Sequence, residues 1–436
     1  MKTLKHILFL LLLGHIQLMS AQQSKTLSMT EVDQITYQQY LKADWKNLVS
    51  TAEQARKNGI KFYFLDVREG IAYYHLKKYR KAISYLEKAF EKDEKNAVVA
   101  EYLYYAYVFG GRYLDALRIG DDFNLELKRK LGLDKNYLID QLGFDFKIIS
   151  PDDYGIDLDK GELDQNVITS DVYKGINIGN YYGLGNLLWL SVGQSTRDFT
   201  QYTFGDGKQD IEYQTMTLTQ YYLAHYNQPQ SGLTFGVAVN WLREDYEGFE
   251  YIRMGRNGVI RAIPSINTIN EWVGFAGLRK DVGNVKLGVT TTLSNMQDNF
   301  QILPSLELTY YPLSNTDIYF YSIFTYKMEH DDDWLNDPVV KTAVGWRLGK
   351  FYFEPSYTYG TLYNFVENDG LIVYNDAEKI DNRIELMSYA FLLKGKLKLY
   401  VKYQNYDKTN FYQLNDVQSE IQYKNNTITT GILWKF

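Results

Sequence analysis

The sequence predicts a multidomain chain: all-α helical repeats, then a closed antiparallel transmembrane β-barrel of about twelve strands, with fourteen as the alternative. Three observations predict it. Apolar spacing changes along the chain, from a long-period recurrence before residue 130 to strict alternation after residue 186. The chain is 16% aromatic with 40 Tyr, yet its mean hydropathy is −0.36. Strands with one face toward lipid and the other toward water give that pairing. Finally, 436 residues exceed what one hydrophobic core usually serves, about 250–300.

Composition also excludes. With no Cys, disulfide scaffolds, thiolate metal sites and cysteine nucleophiles are ruled out. A net charge of −6 gives no reason to expect a nucleic-acid partner. No cofactor or metal is expected.

Lys2 and Lys5 precede the apolar run Ile7 to Leu13, and Met19-Ser20-Ala21 supplies a small residue for cleavage after Ala21. Residues 1–21 therefore read as a secretory signal. A membrane anchor would need about 20 apolar residues, and Gly14 and His15 interrupt the run. No later stretch is apolar enough for a membrane-crossing helix, so any crossing falls to strands.

Residues 22–130 read as a helical repeat domain. Tyr73, Tyr79 and Ala82 recur at one common offset as Tyr107, Tyr113 and Ala116, with Gly70 and Ala89 completing the first set. This spacing resembles the tetratricopeptide repeat at its small and aromatic positions. Two repeats, 63–96 and 97–130, follow a degenerate one containing Trp45 and Ala55. Glu94 stands where the family usually has Pro. The resemblance implies stacked helix pairs with a surface for a partner protein. Tyr63, Gly70, Tyr73, Tyr79, Ala82, Tyr104, Tyr107, Tyr113 and Ala116 serve either packing or that partner surface.

Residues 131–185, with Asp134, Asp152, Asp153, Asp157 and Asp159, read as a linker or transition segment, although Val172–Tyr182 could form a strand. Residues 186–436 read as the barrel. Val285, Leu287, Val289 and Leu293 alternate with Lys286, Gly288 and Thr292; Val340, Val344, Trp346 and Leu348 alternate with Lys341, Gly345 and Arg347. Connections alternate between short (Asn227–Ser231, Asp281–Asn284, Pro312–Thr316, Leu348–Lys350, Lys394–Lys396) and mostly long. The long set is Asp198–Gln209, Glu244–Thr268, Gln297–Gln301, His330–Asp337, Tyr363–Asn382 and Asn405–Lys424. Short periplasmic turns and long outer loops are the pattern of bacterial barrels. Twelve strands result, from 186–197 to 426–436; a hairpin hidden within 244–268 would make fourteen.

This register turns Lys286, Glu307, Lys341, Arg347, Glu354, Lys398 and Lys402 inward, since a charge facing lipid costs roughly 2–4 kcal/mol. They either line a conduit for acidic solutes or pair across the lumen and close it. For an enzyme, only His330 with Asp331–Asp333 and Asp337 offers a base beside carboxylates, on one loop and with no preorganised partner. A non-enzymatic protein is expected.

The chain closes on alternating Ile432, Trp434 and Phe436, which resembles the terminal strand that barrel-assembly machinery reads in bacterial outer-membrane proteins. The whole order of signal, tetratricopeptide-like repeats and C-terminal barrel resembles outer-membrane exporters of exopolysaccharide and YaiO-like barrel proteins. The resemblance implies a cell outer membrane location with the repeats in the periplasm. Its implied partners are outer-membrane lipids, the assembly machinery and an envelope protein. Its implied work is transport, secretion or envelope assembly, with an exopolysaccharide export pore and a barrel-rim hydrolase as alternatives.

Overall fold

The computed structural model describes residues 27–135, 137–151, 163–183, 185–205, 208–254, 259–330, 334–375, 378–414 and 417–436. The predicted signal, 1–21, lies outside them.

Among the described residues seven helices come first: α1 (Met29–Leu41), α2 (Trp45–Lys57), α3 (Tyr63–His75), α4 (Tyr79–Lys92), α5 (Ala97–Phe109), α6 (Tyr113–Gly120) and α7 (Leu125–Leu131). α1, α3 and α5 begin at equal intervals of one repeat, as do α2, α4 and α6. Side chains set the starts. Ser28 and Glu31 form a capping box on α1, Asn96 accepts from the Val98 and Val99 amides, and Asn124 caps α7. Leu48, Ala52, Ala82, Leu86, Ala89 and Ala116 are fully buried between the helices. One bond repeats with the sequence. Tyr73 donates to Glu53 at 2.6 Å, and in the next repeat Tyr107 donates to Glu87 at 2.6 Å. Arg56 bridges Asp66 and Glu69, each at 2.6 Å; burial nonetheless pushes the Glu69 carboxyl up, with Arg56 opposing.

At Gly70 two helices approach closely. A Cβ there would lie 2.7 Å from Leu86 Cγ, so α3 and α4 touch only because the position has no side chain. Gly70→Val is expected to cost about 1–3 kcal/mol through overpacking. A lowered helix melting temperature by circular dichroism would report it.

The described residues that follow are mostly strand. In order these are β1 (Gln141–Pro151), β2 (Leu163–Tyr182), β3 (Asn186–Gly205), β4 (Lys208–Gln230), β5 (Leu233–Met254), β6 (Val259–Val282), β7 (Val285–Ser294), β8 (Phe300–Tyr310), β9 (Ile318–His330), β10 (Trp334–Leu348), β11 (Phe351–Tyr359), β12 (Phe365–Glu367), β13 (Ile372–Tyr374), β14 (Lys379–Leu392), β15 (Leu397–Leu414) and β16 (Val417–Lys435). All but β12 and β13 form one closed antiparallel barrel of fourteen strands, with β1 pairing β16 from Gln141↔Lys435 onward.

Three expectations are corrected. The barrel begins at Gln141, not at 186, and the supposed linker supplies two of its strands. β1 turns Phe144, Phe146 and Ile148 outward, while Gly143, Asp145 and Lys147 alternate with them, and those polar inward positions disguised the strand. Fourteen strands, the alternative count, are present, but the additional pair is β1 and β2, and among the described residues of 244–268 there is no further hairpin. There β5 and β6 pair continuously out to Met254↔Val259. The same holds for the supposed loops 198–209 and 405–424, where β3–β4 and β15–β16 remain paired. The third concerns Tyr363–Asn382. It is not an outer loop: its middle is the β12–β13 hairpin, turned into the lumen.

Short turns occupy one end of the barrel, and Gly185, Gly232, Gly283, Gly349 and Gly395 take positive φ there, a conformation that suits glycine. The outer surface carries exposed Leu287, Val289, Phe320, Phe324, Leu386, Val401 and Ile432. Apolar residues outside and polar ones inside invert the soluble pattern, as hydrocarbon around the barrel requires.

Candidate functional site

Residues 360–375 fold into the lumen. On one wall Leu362 and Phe365 pack with Leu303, Val339, Ile380 and Tyr406; on the other Val366 packs with Leu218, Leu242, Val273 and Met296. Burying each such side chain contributes about 1.5–3 kcal/mol. The hairpin therefore sits in the barrel as a core element.

Two arginines fix its ends. At the tip, Asn368, Asp369 and Gly370 turn through positive φ. The Asp369 carboxylate receives Arg279 at 2.6 and 2.9 Å and the Tyr226 hydroxyl at 2.8 Å. Arg279 also grips Glu307 at 2.6 and 2.7 Å, so one guanidinium joins the tip to β8. Tyr222 donates to the Asp369 carbonyl, and Asn240 to that of Gly370, each at 3.0 Å. Nearer the base, Arg383 is fully buried and holds Glu367 through two 2.8 Å bonds, with Thr358 at 3.0 Å and Tyr374 beside it. Lys327 donates to the Tyr363 carbonyl at 2.6 Å, and Asn375 to Glu271 at 2.6 Å.

Of the charges singled out from the sequence, Glu307 alone among the described residues shares a side-chain partner with the hairpin tip. Glu307 belongs to the tip latch. Lys341 and Lys402 flank Glu385 at 3.7 and 4.0 Å. Glu354 accepts from the Tyr319 and Tyr321 hydroxyls. Arg347 pairs with Asp317 at 2.8 Å near the short-turn end. Lys398 lies over the rings of Tyr389 and Tyr400, 4.7 and 5.6 Å from their centroids. Lys286 stands opposite Thr309 and Asp281 in the ladder. Sequence reading missed Arg279, Asp369, Tyr226, Arg383 and Glu367. A signal was present: Asn368-Asp369-Gly370 between Phe365-Val366 and Ile372-Val373-Tyr374 is a hairpin pattern. His330 ends β9 at the opposite end from the short turns, and Asp331–Asp333 lie outside the described residues.

The helices sit on the short-turn end. Arg80 of α4 bonds Asp281, donates to the Gly283 carbonyl at 2.7 Å and the Gly110 carbonyl at 2.9 Å, and lies 4.2 Å over the Tyr311 ring. Arg112 donates to Ser231 at 2.6 Å, and Asp115 accepts from the Gly232 amide at 2.9 Å. Ser231 also meets Tyr107 and Glu87. Tyr113 stacks edge-on against Tyr181 at 5.2 Å. Of the nine repeat residues singled out, Tyr107 and Tyr113 thus touch the barrel through their side chains. Gly70, Tyr73, Ala82, Tyr104 and Ala116 are buried among the helices, Tyr63 accepts from Asn96 at 3.0 Å, and Tyr79 packs on Tyr74 and Phe109. Ile432 and Trp434 lie in β16 between β1 and β15, and the Phe436 amide donates to the Asp140 carbonyl at 3.0 Å.

No family model and no curated relative matches the chain. Several solved barrels resemble it in outline. A mutant of the TodX monoaromatic hydrocarbon channel aligns at 9% identity over 70% of this chain and 92% of its own, with a TM-score of 0.43. A Pseudomonas aeruginosa FadL homologue aligns at 7% over 68% and 90%, with a TM-score of 0.42. An anion-selective porin from Comamonas acidovorans aligns at 10% over 68% and 98%, with a TM-score of 0.33. Likenesses this distant describe outline and carry nothing about what this chain moves.

Proposed function

We propose that the chain is a non-enzymatic outer-membrane transport barrel, held closed at rest by the lumen hairpin and opened when the hairpin tip leaves Arg279. The observation that carries this reading is the hairpin itself. It is covalently continuous with the wall, yet its tip is held by a few polar contacts that can exchange for water. A permanently structural filling would need no such discrete catch. The short-turn end faces the periplasm, and the helices on it are tetratricopeptide-type repeats that dock an envelope protein. Ile432, Trp434 and Phe436 present the strand read by barrel-assembly machinery.

Planar bilayers test the transport reading. The intact chain is expected to be silent for most of the recording, and a variant with residues 364–375 replaced by a short Gly/Ser link to conduct steadily. A silent deletion variant that still resists SDS when unheated, as closed barrels do, would sink the reading.

A further inference from the structure

The helical domain does not seal the whole short-turn end. Its hydrogen bonds and ring contacts fall on the β4–β5, β6–β7 and β8–β9 connections, on Tyr181 near the end of β2 and, through Tyr113, on Lys435 at the end of β16. Among the described residues none falls on Gly349–Lys350 or Leu393–Lys396, the β10–β11 and β14–β15 turns. These two turns are neighbours, because β10, β11, β14, β15 and β16 are consecutive around the barrel.

That open sector is basic. It gathers Arg347, Lys350, Lys394, Lys396, Lys398 and Lys435, in a chain whose net charge is −6. The segments 346–353, 389–399 and 431–436 contain no Asp or Glu. Arg347 alone of the six has an ion pair among the described residues. Lys435 and Lys396 lie side by side, the Lys435 amide donating to the Lys396 carbonyl at 2.7 Å. The Lys398 and Lys435 ammonium groups rest on ring faces: Tyr389 and Tyr400 for Lys398, Tyr113 and Phe391 for Lys435 at 5.6 and 6.0 Å. Glu354 and Asp145, the carboxylates deeper on this side, act on Lys398 through space and take hydrogen bonds from tyrosines.

Rings hold an ammonium weakly, by about 0.5–2 kcal/mol, and leave its protons free to bond elsewhere. Like charges at a low-dielectric wall repel, and the arrangement is relieved by an anion between them. A cleft lined by one sign also focuses the field and concentrates counter-ions. We propose that this uncovered sector is a binding site for a solute carrying carboxylate or phosphate groups, with Lys394, Lys396 and Lys398 as its principal ligands. As a substrate site it rests on the transport reading above; the binding itself does not. Phospholipid headgroups carry the same chemistry and reach the same rim.

Calorimetry on the full chain decides it. In zwitterionic micelles at low salt, citrate and pyrophosphate are the probes. The intact protein is expected to bind both, and the Lys394→Gln/Lys396→Gln/Lys398→Gln variant at least tenfold more weakly, while Lys398→Arg stays close to the intact protein. Resistance to SDS without heating shows that each variant barrel is closed. In nanodiscs, weaker citrate binding with phosphatidylglycerol than with phosphatidylcholine assigns the site to headgroups, and equal binding assigns it to free solutes. Equal affinity of the triple variant and the intact chain, or no binding at millimolar probe, overturns the site. A silent hairpin-deleted barrel would remove the transport reading and leave this titration standing.

Discussion

Arg279→Ala is expected to convert the silent barrel into one that opens in bursts. The guanidinium is shared between Asp369 at the hairpin tip and Glu307 on β8. Without it two carboxylates face each other in a part-buried site, and breaking such a pair by removing one partner costs about 3–5 kcal/mol. Every 1.4 kcal/mol is a tenfold change in an equilibrium, so the open fraction should rise by about two to three decades. Tyr226, Tyr222 and Asn240 remain as tip contacts, and the Arg383–Glu367 pair still holds the base. The hairpin should therefore swing on its base, giving bursts where deletion gives steady current. Because the chain has no Cys, Asn368→Cys places a single thiol at the tip. Its modification by a water-soluble maleimide should speed up at least tenfold in the Arg279→Ala background. Unchanged labelling together with silence in bilayers would show that Arg279 is no latch.

Arg80→Ala should release the helical domain from the barrel. The side chain is 1% exposed and makes three polar bonds and a ring contact, two of the bonds and the ring being to the barrel rim. Truncation leaves Asp281 without its partner in a nearly dry interface, again a loss of about 3–5 kcal/mol. Arg112 and Asp115 keep a second foothold on Ser231 and Gly232, so the domain should loosen while staying folded. Limited proteolysis reads this as cleavage between residues 131 and 141 at least ten times faster, with the helix signal intact. The same cleavage pattern in both proteins would mean the turns hold the domain without Arg80.

The division into helices and barrel was legible because both patterns are long and regular. Tyr73 and Tyr107 occupy the same position in successive repeats and make the same bond to Glu53 and Glu87. Alternation through Val285–Leu293 put Leu287 and Val289 on one face, and both are exposed on the outer surface. The rest was obscured by inward polarity. β1 and β2 carry Asp145, Lys147, Asp171 and Asn177 on the lumen side, and a strand whose inner face is polar has little apolar contrast in sequence. Strand length misled as well, because pairing of β3–β4 and β5–β6 continues far beyond the span that lipid demands. The latch was illegible for a different reason. Arg279 and Asp369 are 90 residues apart, and nothing local tells an outward loop from one folded inward. Tyrosine also serves the interior: Tyr226, Tyr319, Tyr374, Tyr400 and Tyr423 donate to carboxylates inside the barrel.

The ladder that joins Gln141 to Lys435 makes closure a late event in synthesis. The helices contact their near neighbours in sequence and can form while the barrel strands are still unmade, since local contacts form fastest. Residues 360–375 are also made before β16 exists. Because the seam pairs β1 with β16, it can shut only once residues 360–375 exist, so a hairpin laid between the strands first needs no threading through a finished ring.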